Sequence, residues 1–313
     1  MQTGIITSNR FKLHLTGAGH PESPDRITAV HGALHDSGLL EKHPVVVPEI
    51  KLPEIPDLIH SNDYRIRVKR SCESGDTIID TQDNPICPDS YEIAILAANA
   101  VTTGIDMVIS GEWNNGMVIV RPPGHHAERS MAMGFCLFNN VAIGAKYLQD
   151  QYGIEKVAIV DFDVHHGNGT QHLFEADPTV FFASMHQFPF YPGTGRETET
   201  GTGAGRGTVQ NYPLPAGTGD DTYYDIIDND LSDRILKFDP DFIIFSAGFD
   251  AHELDPIGQM NVTTEGFYNI SKKLNRIATE ACKGRSLSVL EGGYHLNALG
   301  ESVKVHINAM AGE

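Results

Sequence analysis

An α/β fold, built as one parallel sheet covered by helices on both faces, follows from three features of this 313-residue sequence. Short apolar runs alternate with longer stretches that carry helical periodicity, the order expected of strand-helix-strand units. Val157 to Val160 and Phe242 to Phe245 are unbroken apolar runs, as strands buried on both faces are. Polar and charged residues cluster where those runs stop, and in a parallel sheet all such ends lie on one edge.

Taken in order, Gly4 to Thr7 is a short strand. A helix runs from Pro24, placed where a first helical turn tolerates proline, to Ser37, with Gly38 as its stop. Residues 44–56 read as a strand or extended loop, and 54–74 as one or two short helices. Ser90 to Ser110 is rich in Ala, Ile and Leu and is a helix. Met117 to Val120 is a strand stopped by Arg121-Pro122-Pro123-Gly124. Asn139 to Gln151 is a helix, Val157 to Asp163 a strand, Thr170 to Ala176 a helix and Thr179 to Met185 a strand. Residues 186–220, rich in Gly, Thr and Pro, read as a long loop region, and such loops inside compact domains are often functional. Asp221 to Phe238 is a helix, Asp241 to Ala247 a strand, Thr264 to Cys282 a helix and Ser286 to Leu290 the last strand, before a closing helix. About six strands can be argued in this way. With no internal repeat or linker, residues 1–313 are expected to form a single domain.

The composition narrows the function classes. A formal charge of −18 argues against a nucleic-acid surface and is compatible with cationic substrates. Four cysteines without a C-x-x-C pair suit a reducing compartment. The N-terminal residues show no signal peptide, and no apolar stretch approaching ~18 residues is apparent, so a cytoplasmic protein that does not span a membrane is expected.

Four strand ends carry the chemistry. Asp161, Asp163 and His165 stand at alternate positions, on one face while the strand lasts. Two carboxylates and an imidazole there must be hydrogen-bonded, paired or metal-bound, since bare buried charge is costly. Asp and neutral His suit a divalent ion such as zinc, whereas the plainer reading is a polar strand end that caps the next helix. Asp250, after the 241–247 strand, is the natural third ligand; alone, it is equally a helix cap or turn residue. Three protein ligands leave a position open for water and substrate, as catalytic zinc sites do. His125-His126 follows the 117–120 strand, and a neutral imidazole there suits proton transfer. Asp161 can hold one imidazole and Asn168 the other, which would give the pair different proton affinities. Tyr294, after the last strand, can donate a hydrogen bond to a developing oxyanion; standing alone it would be an ordinary half-buried tyrosine.

Six segments together resemble the zinc-dependent histone deacetylase family: Arg121 to Ala127, Gly134-Phe135-Cys136, Asp161 to Thr170, Tyr191 to Gly195, Gly248-Phe249-Asp250 and Glu291 to Tyr294. Asn168 and the Glu-Gly-Gly-Tyr form resemble the class II branch and its bacterial relatives. The resemblance implies the arginase–deacetylase fold, with an eight-stranded parallel sheet. It implies that Asp163, His165 and Asp250 bind one zinc ion. It makes His126 the general base and acid, His125 its electrostatic partner, and Tyr294 the residue that polarises the amide carbonyl. Gly134, Phe135 and Tyr191 match the walls of a narrow channel, Asp83 a rim aspartate that grips substrate, and Arg26 an arginine lining an internal acetate channel. It further implies potassium near Asp161, Asp163, His165 and Ser184, and a second monovalent site at the carbonyls of Phe174 and Val180. Ile257, in Asp255-Pro256-Ile257, departs from the leucine common in class II relatives and is expected to alter the pocket mouth.

The expected activity is removal of acetyl or other acyl groups from lysine ε-amines in proteins or peptides. Three rivals stand beside it: a deacetylase of small molecules such as acetylpolyamines, a silent acyl-lysine binder on the same fold, and a dimanganese ureohydrolase of the arginase type. The intact ligand set and tyrosine count against the second, and His125-His126 with Tyr294 fits one metal better than two. Zinc is the family expectation, and iron(II) or cobalt suits the same ligands.

Overall fold

The protein is described by a computed structural model covering residues 2–313. Eight parallel strands form one sheet: β1 (Thr3–Thr7), β2 (Val45–Val46), β3 (Asn115–Ile119), β4 (Val157–Asp161), β5 (Val180–Gln187), β6 (Val209–Leu214), β7 (Phe242–Ala247) and β8 (Ser286–Leu290), in the order β2-β1-β3-β8-β7-β4-β5-β6. The helices are α1 (Asp25–Asp36), α2 (Leu39–Lys42), α3 (Asn62–Ser74), α4 (Ser90–Ile109), α5 (Asn140–Tyr152), α6 (Asn168–Phe174), α7 (Asp220–Ile226), α8 (Ser232–Phe238), α9 (Thr264–Cys282) and α10 (Leu296–Ala311). The expected eight-stranded parallel fold is the one observed.

Every residue of β1, β3, β4, β7 and β8 is buried, so these strands need apolar side chains on both faces. α9 shows how the covering helices meet them. Thr263 Oγ1 caps its first turn by accepting the Gly266 amide at 2.9 Å. Ile270, Leu274, Ile277 and Ala278 repeat at helical spacing on its buried side.

Two expectations are corrected. Residues 186–220 are not all loop: β6 pairs with β5 from Phe182↔Val209 to Gln187↔Leu214. This strand lies at the sheet edge, only part of it is buried, and Pro213 is tolerated there because its missing N–H leaves no inner ladder bond unmade. Its sequence therefore lacks the continuous apolar run of the central strands. Secondly, Ser90–Ile109 is long and apolar enough to cross a membrane by length and composition. Here it is the core helix α4, with Leu96, Ala97, Ala100 and Val101 fully buried. The helix expected over 221–238 is present from 220, with a π-helical turn at Ile227–Leu231 between α7 and α8.

Candidate active site

The strand order sets β3, β8, β7 and β4 side by side in the middle of the sheet. Their carboxyl ends deliver the residues singled out above. His125 and His126 follow β3, Asp161, Asp163 and His165 end or follow β4, Asp250 follows β7, and Tyr294 follows β8.

Asp163, His165 and Asp250 converge with one ligand atom each within 4.8 Å of one another, all three buried. His165 Nδ1 lies 3.1 Å from Asp163 Oδ1 and 3.2 Å from Asp250 Oδ2. Ligands held tetrahedrally at zinc distances stand about 3.3 Å apart, so this spacing fits the ion. The electrostatics fit as well. Burial, then the charge of Asp163, push Asp250 up to about 7, a repulsion that a cation between the two carboxylates relieves. Backbone amides hold the outer oxygens: Gly292 N donates to Asp163 Oδ2 and Val164 N to Asp250 Oδ1, both at 2.8 Å.

The two histidines have different partners. His125 Nδ1 lies 2.9 Å from Asp161 Oδ2, and His126 Nδ1 lies 2.7 Å from Asn168 Oδ1. Burial disfavours a charged His125, but Asp163 and Asp161 outweigh it and raise its pKa to about 10. Burial and the neighbouring imidazoles of His125 and His165 hold His126 well below the usual imidazole range. With ring centroids 4.0 Å apart, the two imidazoles are thus driven in opposite directions, His125 towards the charged form and His126 towards the neutral one.

A pocket of about 160 Å³ leads to this centre, lined by Asp83, His126, Gly134, Phe135, His165, Phe190, Tyr191, Ile257 and Tyr294. Gly134 is required beside the histidine. Its φ is +58°, and a Cβ there would come 2.3 Å from His126 Cδ2. The Phe135 ring packs edge-on to Tyr294 at 5.8 Å, and Phe190 stacks on His165 at 5.3 Å. Towards the mouth, Tyr191 Oη donates to Asp83 Oδ2 at 3.2 Å.

Arg26 lies outside the pocket lining. It is fully buried, with its guanidinium 5.0 Å from the Tyr294 ring and its Nε donating to the Gly293 carbonyl at 2.7 Å. Ser184 sits opposite Asp161 in the β4–β5 register, its Oγ 2.9 Å from His186 Nδ1. Phe174 and Val180 are buried at the end of α6 and the start of β5.

Sequence reasoning missed several supports. Glu22 joins Arg26 to Arg121, with Arg26 Nη1 at 3.1 Å from its Oε1 and Arg121 Nη2 at 2.7 Å from its Oε2. Glu291 Oε2 accepts the amides of Gly124 and His125 at 2.6 and 3.1 Å. Asp255 Oδ2 accepts the amides of Tyr294 and His295. Glu291 lies 167 residues from Gly124 and Asp255 lies 39 from Tyr294, so no local pattern marks either; Glu22 stands four residues before Arg26, but its second partner, Arg121, lies 99 residues away. Phe190 carried a signal, its place beside Tyr191 in Phe188-Pro189-Phe190-Tyr191.

Known proteins share this architecture and its sequence. The histone deacetylase domain matches residues 20–310. "Histone deacetylase 10, chloroplastic" of Oryza sativa subsp. japonica is 38% identical over 310 residues, covering 94% of this chain and 70% of the rice protein. "Polyamine deacetylase HDAC10" of Mus musculus is 36% identical over 304 residues, covering 93% of this chain and 45% of the mouse protein. The crystal structure of the HDA15 HD domain superposes with a TM-score of 0.94 at 35% identity, covering 100% of this chain and 88% of that one. The family is zinc-dependent, and the convergence of Asp163, His165 and Asp250 offers a metal its ligands. Matched over nearly its whole length, the chain belongs to the histone deacetylase family and is a hydrolytic deacetylase.

Proposed function

We propose that this protein removes acetyl or related acyl groups from lysine ε-amines in peptides or proteins, with Asp163, His165 and Asp250 holding one zinc ion. Bound there, the ion supplies Lewis acidity: it lowers the pKa of a water molecule and polarises the acyl carbonyl. His126 takes the proton of the attacking water at Nε2, since Asn168 occupies its Nδ1. His125, held charged between Asp161 and Asp163, favours the negative charge that develops beside it. The Tyr294 hydroxyl donates to the developing oxyanion. His126, now protonated, returns its proton to the departing amine. A structural potassium ion near Asp161, Asp163, His165 and Ser184 is part of this proposal, supported by the register that sets Ser184 opposite Asp161.

One observation carries the substrate class: apolar walls enclose the approach to His126. Phe135, Phe190 and Ile257 line it, and Asp83 is the one carboxylate among the described lining residues. The methylene chain of acyl-lysine is suited to such walls. An internal ammonium of a polyamine would be desolvated there without a partner alongside, which is costly. The likeness to a polyamine deacetylase keeps that second reading in view, and Asp83 at the mouth is the group that favours it.

The test compares kcat/KM for acetyl-lysine peptides, longer acyl-lysine peptides and acetylpolyamines. Peptides turning over better than polyamines supports the proposal. Cleavage of polyamines alone overturns the lysine assignment and keeps the amidohydrolase.

A further inference from the structure

The partner of His126 has a partner of its own. Asn168 Nδ2 donates to Glu128 Oε1 at 2.6 Å, and the same oxygen lies 2.8 Å from His172 Nδ1. His172 is partly exposed, whereas Asn168 and His126 are buried. The Glu128 main chain is held as well: His60 Nδ1 lies 2.9 Å from its carbonyl, and its amide donates to Met131 O at 2.9 Å.

This arrangement decides a question the His126–Asn168 contact leaves open. A side-chain amide has an accepting end and a donating end, and an asparagine turned over would present its NH₂ to the imidazole. An ionised carboxylate only accepts. Facing Glu128, Asn168 must turn Nδ2 to it and Oδ1 to His126. Oδ1 only accepts, so His126 must carry its proton on Nδ1. The lone pair then sits on Nε2.

We propose that Glu128 is a positioning residue that fixes the tautomer of His126 by orienting the Asn168 amide, with His172 anchoring the carboxylate from the surface side. The inference rests on the role given to His126 above, and it assigns to Glu128 and His172 functions separate from substrate contact. A carboxylate at position 168 would not need this help, because both of its oxygens accept. The two side chains therefore form one unit: an amide at 168 requires an acid at 128.

The test uses zinc-loaded full-length protein and two readouts. In Glu128→Ala, kcat on an acetyl-lysine peptide is expected to fall roughly 10- to 100-fold, the scale of a hydrogen bond to a charged group. KM and bound zinc stay unchanged. Imidazole ¹⁵N spectra are expected to show His126 protonated on Nδ1 in the wild type and shifted towards Nε2–H in the variant. Asn168→Asp alone is expected to be impaired, since it sets two carboxylates against each other. Combined with Glu128→Ala it is expected to restore most of the lost kcat and the Nδ1–H signal. A structural role alone would lower the melting temperature and leave the double variant no better than the single one. If Glu128→Ala does not fold, Glu128→Gln, which keeps the shape and removes the fixed acceptor, carries the same spectral test. An unchanged tautomer and kcat on removing the acid, or a folded double variant that recovers neither, overturns the proposal. The spectra read the tautomer whether or not the wild type cleaves peptides, so failure of the lysine assignment is told apart from failure of this one.

Discussion

Asp255 Oδ2 accepts the backbone amide of Tyr294 at 2.6 Å and that of His295 at 3.1 Å, while Oδ1 accepts Ile257 N at 3.0 Å. One carboxylate thus ties the turn carrying the pocket tyrosine to the turn carrying the pocket isoleucine. Asp255→Ala is expected to lower kcat by about tenfold, the scale of one lost hydrogen bond to a charged group, with bound zinc unchanged. Steady-state kinetics together with metal analysis check this.

Tyr294→Phe removes the hydroxyl and keeps the ring between Phe135 and Arg26. Losing one oxyanion donor typically costs ~10²–10³-fold in kcat. The expected outcome is that loss with zinc content and melting temperature retained. Near-normal turnover would remove the hydroxyl from the reaction.

Gly248 has no room for a side chain. A Cβ there would lie 2.1 Å from Asp163 Oδ2. Gly248→Ala is expected to displace that carboxylate and leave the purified protein with well under one metal per chain, while far-UV circular dichroism still reports the fold. Inductively coupled plasma analysis reads the metal.

Glu22 makes a pH-dependent contribution to stability. Burial opposes its charge, but Arg121 and Arg26 outweigh it and bring its pKa from 4.5 down to about 2. A depressed folded-state pKa means that this stability is present above pH 4.5 and is lost as the pH falls towards 2. The shift corresponds to about 3 kcal/mol. Glu22→Gln leaves two buried guanidinium groups without their anion and is expected to be destabilised by ~3–5 kcal/mol at neutral pH. The gap to wild type narrows as pH drops below 4.5, and denaturant titrations at a series of pH values measure it.

The central strands and the ends that carry Asp163, His165, Asp250 and the histidine pair were legible because burial on both faces forces continuous apolar runs, and the polar residues that interrupt them stand out. β6 was not, because an edge strand beside a single neighbour tolerates Pro213 and polar residues. α4 passes a composition test for a membrane span for the same physical reason that makes it the core helix: both environments demand apolar side chains over twenty residues. Glu22, Glu128, Asp255 and Glu291 act across separations from 2 residues to 167, and a lone acid leaves no periodic trace in the chain. Their roles appear only once the sheet has brought the strand ends together.

The account stands on one metal ion held by Asp163, His165 and Asp250 beside His126. The most direct measurement strips the purified protein with a chelator and titrates zinc back, following both turnover of an acetyl-lysine peptide and bound metal. Activity that disappears on stripping, rises linearly with added zinc and saturates at one ion per chain is the predicted result, with Asp250→Asn binding markedly less zinc in the same titration. Full turnover by the stripped protein, or unaltered zinc binding after Asp250→Asn, would contradict it.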